Sequence, residues 1–317
     1  VILSRAEKEF KAFIEKTGIP SAWTIMGLSA LDTYHKLNVG MLGMHGNYAP
    51  KKLTNECDVL IAIGMRFDDR VTGDLTKYAK QAKVIHIEID AAEINKNVNA
   101  DIPVLGDAKE VLTKLTPLVN QNSHEAWLQR FKAFEKEEFD QVIQEELNPS
   151  KDIISMGEVI SQINKLSNGD NVIVTDVGQH QMVACRYAEF KQSKSMITSG
   201  GLGTMGFCLP AAIGAKMGVP NKQVIAVIGD GGFQMTMQEL GTILESKVPV
   251  KILLLNNEFL GMVRQWQELF FEKRYASTIM VNPDFQMIAK SYSIKSSLVQ
   301  DRKDLKQGVQ DMLEHDG

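Results

Sequence analysis

Val224-Ile225-Ala226-Val227-Ile228-Gly229-Asp230-Gly231-Gly232 and, further on, Val250-Lys251-Ile252-Leu253-Leu254-Leu255-Asn256-Asn257 decide how this chain is read. Each is a short apolar run of the length of a buried strand, closed by small or polar residues. Between them Met237, Leu240, Ile243 and Leu244 fall on one face of an expected helix. Strand, helix, strand is one βαβ unit, and its crossover is expected to be right-handed. Asp230 and Asn257 then stand at the carboxyl ends of neighbouring parallel strands, the edge at which open α/β sheets bind ligands. A carboxylate and an amide oxygen are hard donors suited to Mg²⁺, which takes a few protein ligands and fills the rest with phosphate and water. The glycines around Asp230 let a phosphate approach the backbone, and the helix that follows offers its first amides. The pair therefore predicts a Mg²⁺–diphosphate site. Two tight turns are the competing explanation, and a lone Gly-Asp-Gly would not outweigh it. Both motifs together, each after an apolar strand, do.

The same alternation extends outward from this unit. Residues 171–175 (Asn-Val-Ile-Val-Thr) read as a strand running into Asp176, preceded by a helix over 156–166. Near the start, residues 6–16 read as a helix with Phe10, Phe13 and Ile14 on one face, ended by Gly18 and Pro20. Residues 22–26, closed by Gly27, residues 59–63, closed by Gly64, and residues 84–90 read as strands with helix-length segments between them. The expected fold is α/β: two domains, each a parallel sheet flanked by helices. Residues 123–146 are long, charged and helical, with Trp127, Phe131 and Phe134 at helical spacing, and Asn148-Pro149-Ser150 breaks them. This stretch serves equally well as a linker or as a surface helix of the first domain. The expected boundaries are 1–120, a linker over 121–150, and 151–317.

Length and composition agree with that division. A chain of 317 residues exceeds one typical domain. With 44% hydrophobic and 23% charged residues it is too apolar for disorder. Thirty-five basic against 39 acidic residues leave a net charge of −4, which argues against nucleic-acid binding. No apolar run approaches the roughly 18–20 residues of a membrane span. The three cysteines, Cys57, Cys185 and Cys208, are odd in number and widely spaced. They indicate neither a disulfide framework nor a zinc site, and a reducing cytoplasm suits them. The chain opens on Val1-Ile2-Leu3 without an initiator Met and stops at Asp316-Gly317, just after a helical stretch. It reads as an excised piece of a longer polypeptide, truncated in both outer domains.

The GDG–NN pair resembles the signature of thiamine-diphosphate enzymes. Longer stretches are similar to the acetolactate synthase catalytic-subunit family in particular. They are Gly178-Gln179-His180-Gln181-Met182, Thr198-Ser199-Gly200-Gly201-Leu202-Gly203-Thr204-Met205-Gly206, and the run from Leu255-Asn256-Asn257-Glu258-Phe259 to Gln265-Trp266. Met41-Leu42-Gly43-Met44-His45-Gly46 and Arg66-Phe67-Asp68-Asp69-Arg70-Val71-Thr72-Gly73 match in the first half. The resemblance spans nearly the whole chain.

What the resemblance implies can be stated position by position. Asp230, Asn257 and the carbonyl of Phe259 would bind Mg²⁺. Gly178, Gln179, His180, Gly229, Gly231, Gly232, Gly261 and Met262 would contact the thiamine diphosphate. Gly203 and Met205 would complete its site, with Met205 under the bent cofactor. On residue type alone, Met205 and Met262 read as gap-filling core methionines. Val263 and Trp266 would line the substrate channel, Trp266 favouring 2-ketobutyrate; a core tryptophan is an equal reading.

The first section resembles the family's flavin domain. FAD contacts would come from Thr24, Ile25 and Met26, from Met44 and His45, and from Gly64, Met65, Arg66, Asp68, Arg70 and Val71. Glu88, Gly106, Asp107, Gln181 and Met182 would add to them. Arg66 and Arg70 can offer charge-assisted bonds to a diphosphate, or form a solvated charge cluster. No GxGxxG follows a first strand, so the usual dinucleotide fingerprint is absent.

The implied activity is decarboxylation of pyruvate and carboligation to pyruvate or 2-ketobutyrate, a step of branched-chain amino-acid biosynthesis. The implied partners are further copies of the catalytic subunit, as homodimer or tetramer, and a regulatory small subunit. In this family the essential glutamate lies on an N-terminal domain that would precede Val1. No motif assigns that role to Glu239 or Glu245, and the chain alone is expected to be inactive and prone to self-association. Pyruvate oxidase, glyoxylate carboligase and a non-catalytic nucleotide-binding protein are the alternatives.

Overall fold

Nine strands, all paired in parallel, carry the fold in a computed structural model that describes residues 1–317. They are β1 Ser21–Trp23, β2 Asn38–Met41, β3 Val59–Ile63, β4 Lys83–Glu88, β5 Ile102–Leu105, β6 Asn171–Thr175, β7 Met196–Thr198, β8 Gln223–Gly229 and β9 Lys251–Leu255. The chain divides into two units, Val1–Ile143 with Lys191–Lys194, and Gln144–Phe190 with Ser195–Gly317.

In the second unit the strand order is β7-β6-β8-β9. The two central strands, β6 and β8, are buried almost end to end. That is why their sequences are unbroken apolar runs rather than alternations: helices cover a parallel sheet on its faces. Val172, Val174, Val224, Ala226 and Ile228 join one core with Leu209, Ala212 and Ile213 of the helix Cys208–Gly218 and with Phe233 and Leu240.

The first unit holds two parallel sheets, β1-β2 and β3-β4-β5, rather than one. Phe13 and Ile14 of the helix Glu7–Thr17 pack with Leu112 and Leu128. That helix ends as its sequence suggests, on Gly18 at φ 68° with the Gly18 amide bonded to the Ile14 carbonyl. Trp127, Phe131 and Phe134 pack with Ala49 and Leu53 of the helix Tyr48–Leu53. Their own helix, Glu125–Glu138, runs into a π-helical turn, Phe139–Ile143, and then Gln144–Leu147.

Two sequence expectations fail here. The strand expected over 22–26 stops at Trp23, and Ile25–Gly27 is a 3₁₀ turn closed by Gly27 N–H donating to the Thr24 carbonyl at 2.8 Å. The single crossover helix after Asp230 is two helices, Asp230–Thr236 and Leu240–Ser246, joined by a 3₁₀ turn over Met237–Glu239. A 3₁₀ turn advances by three residues rather than 3.6, so the apolar face slips out of phase across it. Leu240 is buried as expected, whereas Met237 and Leu244 are 36% and 48% exposed.

Ile225 on β8 is wholly buried. Ile225→Ala should lower the unfolding free energy of the second unit by about 2–5 kcal/mol in urea titrations. Leu202→Ala, on a side chain open to solvent, should change it by less than about 0.5 kcal/mol.

Candidate functional site

The order β7-β6-β8-β9 reverses direction between β6 and β8. From β6 the chain proceeds outward to β7; from β8 it proceeds to β9 on the opposite side. The helices that follow β6 and β8 diverge at such a point and open a crevice beyond the strand ends, where ligands of doubly wound sheets bind. A pocket lies there, lined by residues after β6 (Val177, Gly178, Gln179, His180), after β8 (Asp230, Gly231, Gly232) and after β9 (Asn257, Phe259, Leu260, Gly261, Met262, Val263). Met156, Met205, Gly229 and Leu255 complete it. The chain thus brings together the GDG residues, Asn257 of the NN pair and nearly all those that the resemblance assigns to the cofactor. Gly203 is exposed and outside this lining. Trp266 is half-buried on the helix Gly261–Phe270, with its ring 4.9 Å from that of Phe270, and it too stands outside the lining.

Asp176 anchors the pocket floor. It has no solvent exposure, and its carboxylate accepts from the amides of Val177 (2.8 Å), Gly206 (3.1 Å) and Cys208 (3.0 Å). The loop carrying Met205 is thereby tied to the end of β6. A side chain at position 232 would place its Cβ 2.4 Å from Asp176 Oδ1, so glycine is required there. His180 is 7% exposed, and its ring fills the space that a side chain on Gly229 would take. Burial holds its pKa down to about 4, against the opposing charges of Asp176 and Asp230, so the imidazole is neutral at pH 7. Its Nε2 is buried without a hydrogen-bond partner, on a residue that lines the pocket.

Asp230, 2% exposed, is the one acidic side chain of the lining. Its Oδ2 accepts from Asn282 Nδ2 at 2.7 Å, and the same amide nitrogen donates to Asn256 Oδ1 at 2.8 Å. Asn257 Oδ1 accepts from the Phe259 amide at 3.2 Å, across a Glu258 held at φ 59°. Oxygen donors with a single formal charge suit a cation that takes its remaining ligands from phosphate and water. Asn282, Gln234, Leu260 and Met156 were missed by the sequence reading: Asn282 and Met156 reach the site from other segments, while Leu260 and Gln234 sit beside predicted residues but carry no distinctive motif of their own.

In the first unit, Gly64, Glu88 and Gly106 come together at the carboxyl ends of β3, β4 and β5. The Gly64 amide donates to the Ile87 carbonyl (2.8 Å) and the Gly106 amide to the Glu88 carbonyl (2.9 Å). Phe67, at φ 53°, drops into the core with its ring 5.0 Å from that of His86, and its carbonyl accepts from Asn97 Nδ2 at 3.0 Å. His86 Nε2 donates to the Met65 carbonyl at 2.9 Å. So anchored, the loop leaves Arg66 and Arg70 exposed, paired with Asp68 (3.4 Å) and Asp69 (3.7 Å). The Met44 amide donates to the Arg70 carbonyl at 2.7 Å, which places Met44 and His45 beside Val71. Asp68 and Asp107 cap the helices Asp69–Thr72 and Ala108–Leu118. Thr24, Ile25 and Met26 form the 3₁₀ turn after β1. Gln181 and Met182 belong to the second unit, where the buried Gln181 donates to Thr198 Oγ1 at 2.7 Å.

Residues 176–317 match the model of the thiamine pyrophosphate enzyme C-terminal TPP binding domain, and residues 1–115 match the central domain of the same enzymes. The chain belongs to the thiamine pyrophosphate enzyme family. Within it, the chain is 47% identical over 289 residues to the acetolactate synthase large subunit of Lactococcus lactis, covering 90% of this chain and 49% of that protein. It is 40% identical to the isozyme 2 large subunit of Escherichia coli, covering 99% and 56%. It is also 40% identical to the chloroplastic acetolactate synthase 1 of Nicotiana tabacum, covering 99% and 48%. The chain spans about half the length of the curated relatives it matches.

The neutral, buried His180 couples stability to acidity. Its folded-state pKa of about 4 lies below the ordinary 6.5, so as pH falls between these values the unfolded chain takes up a proton that the folded chain refuses. Stability of the second unit is full above about pH 6.5 and should fall by roughly 3 kcal/mol on the way to pH 4 from this group alone. Urea unfolding across that range should show a shallower pH slope in His180→Gln than in the wild type.

Proposed function

We propose that this chain is the flavin-domain and diphosphate-domain portion of an acetolactate synthase catalytic subunit. The whole protein would decarboxylate pyruvate and join the product to a second 2-keto acid, pyruvate or 2-ketobutyrate, in branched-chain amino-acid biosynthesis. Residues 1–120, 121–150 and 151–317 are taken as the central domain, a connecting helix and the diphosphate domain. A second copy of the subunit and a regulatory small subunit are the proposed partners.

The observation that carries the reading is the crevice between β6 and β8, where His180, Asp230 and Asn257 line one pocket. Asp230, Asn257 and the Phe259 carbonyl are the proposed Mg²⁺ ligands, an all-oxygen set that fits the ion. Gly178, Gln179, His180, Gly261 and Met262 would hold the diphosphate, and Gly231 and Gly232 would let it reach the backbone. Thiamine diphosphate, when bound, supplies the electron sink for decarboxylation. This chain's residues bind and orient it: the neutral His180 accepts or donates a hydrogen bond without adding charge, and Met205 and Leu260 exclude water. Arg66 and Arg70, at the strand ends of β3–β5, are the proposed flavin diphosphate contacts, with Glu88 and Gly106 beside them.

Calorimetric titration of thiamine diphosphate with Mg²⁺ into the chain should show saturable binding, weakened at least about tenfold by Asp230→Ala, since a charged ligand is lost. Equal binding by both chains would sink the assignment of Asp230. FAD titrated into the chain should change fluorescence on binding, with affinity reduced about tenfold by Arg66→Ala. An unchanged affinity would remove Arg66 from the flavin site.

A further inference from the structure

We propose that Asn282 is a positioning residue for the metal-binding carboxylate, a role that rests on the Mg²⁺ reading of Asp230. Both hydrogens of its amide are used: one goes to Asp230 Oδ2 (2.7 Å), the other to Asn256 Oδ1 (2.8 Å). Its own oxygen accepts from Gln234 Nε2 at 2.9 Å, and Gln234 Nε2 also donates to the Asp230 carbonyl at 3.2 Å. Asn282 therefore ties the end of β8 to the end of β9, the two places from which the metal ligands come. With Oδ2 engaged by this amide, Oδ1 is the carboxylate oxygen left for a cation.

The segment that delivers Asn282 also shapes the other ligands. The Leu260 amide donates to the Thr278 carbonyl (2.8 Å) and the Met280 amide to the Glu258 carbonyl (2.9 Å), while Phe259 and Ile279 form an antiparallel bridge. These bonds hold Glu258 at φ 59° and set the direction of the Phe259 carbonyl. Residues 278–282 thus act as a strap over the 256–260 turn. Thr278, almost wholly buried, pins one end of it and Asn282 the other. Outer partners of this kind fix a ligand's orientation and typically account for 10–100-fold in metal affinity.

A positioning role predicts more than a loss of affinity. Mg²⁺ demands near-octahedral geometry, whereas Ca²⁺ accepts looser and more variable coordination. The test is to titrate Mg²⁺ and, separately, Ca²⁺ into the full 317-residue chain at saturating thiamine diphosphate. Wild type, Asp230→Ala, Asn282→Ala, Gln234→Ala and Val281→Ala would be compared, with thermal melting of each ligand-free protein as the folding control. Asn282→Ala should weaken Mg²⁺ about 10–100-fold and Ca²⁺ by clearly less, with the ligand-free protein still folded and melting cooperatively. Gln234→Ala should move the same ratio in the same direction by a smaller factor, and Val281→Ala, fully exposed next door, should not move it. Equal losses for the two cations, or none, would overturn the positioning role while leaving Asp230 as ligand. Indifference of both cations to Asp230→Ala would overturn the metal reading and this proposal with it.

Discussion

The register of three parallel strands is the constraint on which the rest of the second unit depends. Thr175 pairs with Val227, and Gly229 pairs with Leu255, so β8 and β9 end level with each other and β6 ends two residues short of them. The residues that follow them, Asp176, Asp230 and Asn256-Asn257, emerge side by side along one sheet edge. Both faces of β6 and β8 are buried, so a shift of one residue would exchange side chains between two differently packed faces and leave misfits in both. Hydrophobic burial along the strands thus sets the spacing of polar groups at their ends.

Two buried carboxylates at that edge solve the same problem differently. Asp176 is saturated by three backbone amides from its own turn and from the Met205 loop, and it holds the floor in place. Asp230 accepts a single side-chain bond, from Asn282. A buried carboxylate without enough partners is costly. The cost is acceptable where a cation completes the set. Between them His180 stays neutral, because desolvation outweighs the attraction of both acids. The crevice therefore combines one uncommitted negative charge with neutral donors and backbone, a field suited to a phosphate bridged by a divalent ion.

Much of the fold was legible because long apolar strands are self-announcing. β3 and β6 occupy the residues their sequences indicate, β8 runs one residue further at each end, and β9 starts one residue later. The strands that escaped notice, β2, β5 and β7, are short, and β5 and β7 lie at sheet edges. Edge position is what permits Pro103 within β5, where a central strand would lose a ladder bond. The crossover after Asp230 was misread because helical periodicity assumes an unbroken helix.

By itself the sequence determined the α/β class, the strands of the core and the two motifs, Gly229-Asp230-Gly231-Gly232 and Asn256-Asn257, that close them. Apolar runs and turn residues are local signals, and local chemistry enforces them. Which side chains share a pocket was decided only in three dimensions. His180 packs against Gly229, Asp176 reaches Gly206 and Cys208, and Asn282 crosses from a distant loop to Asp230. Each of these pairings joins segments that no periodicity relates. They exist because strand order brings β6, β8 and β9 together and because a buried polar group must find its partner wherever the fold presents one.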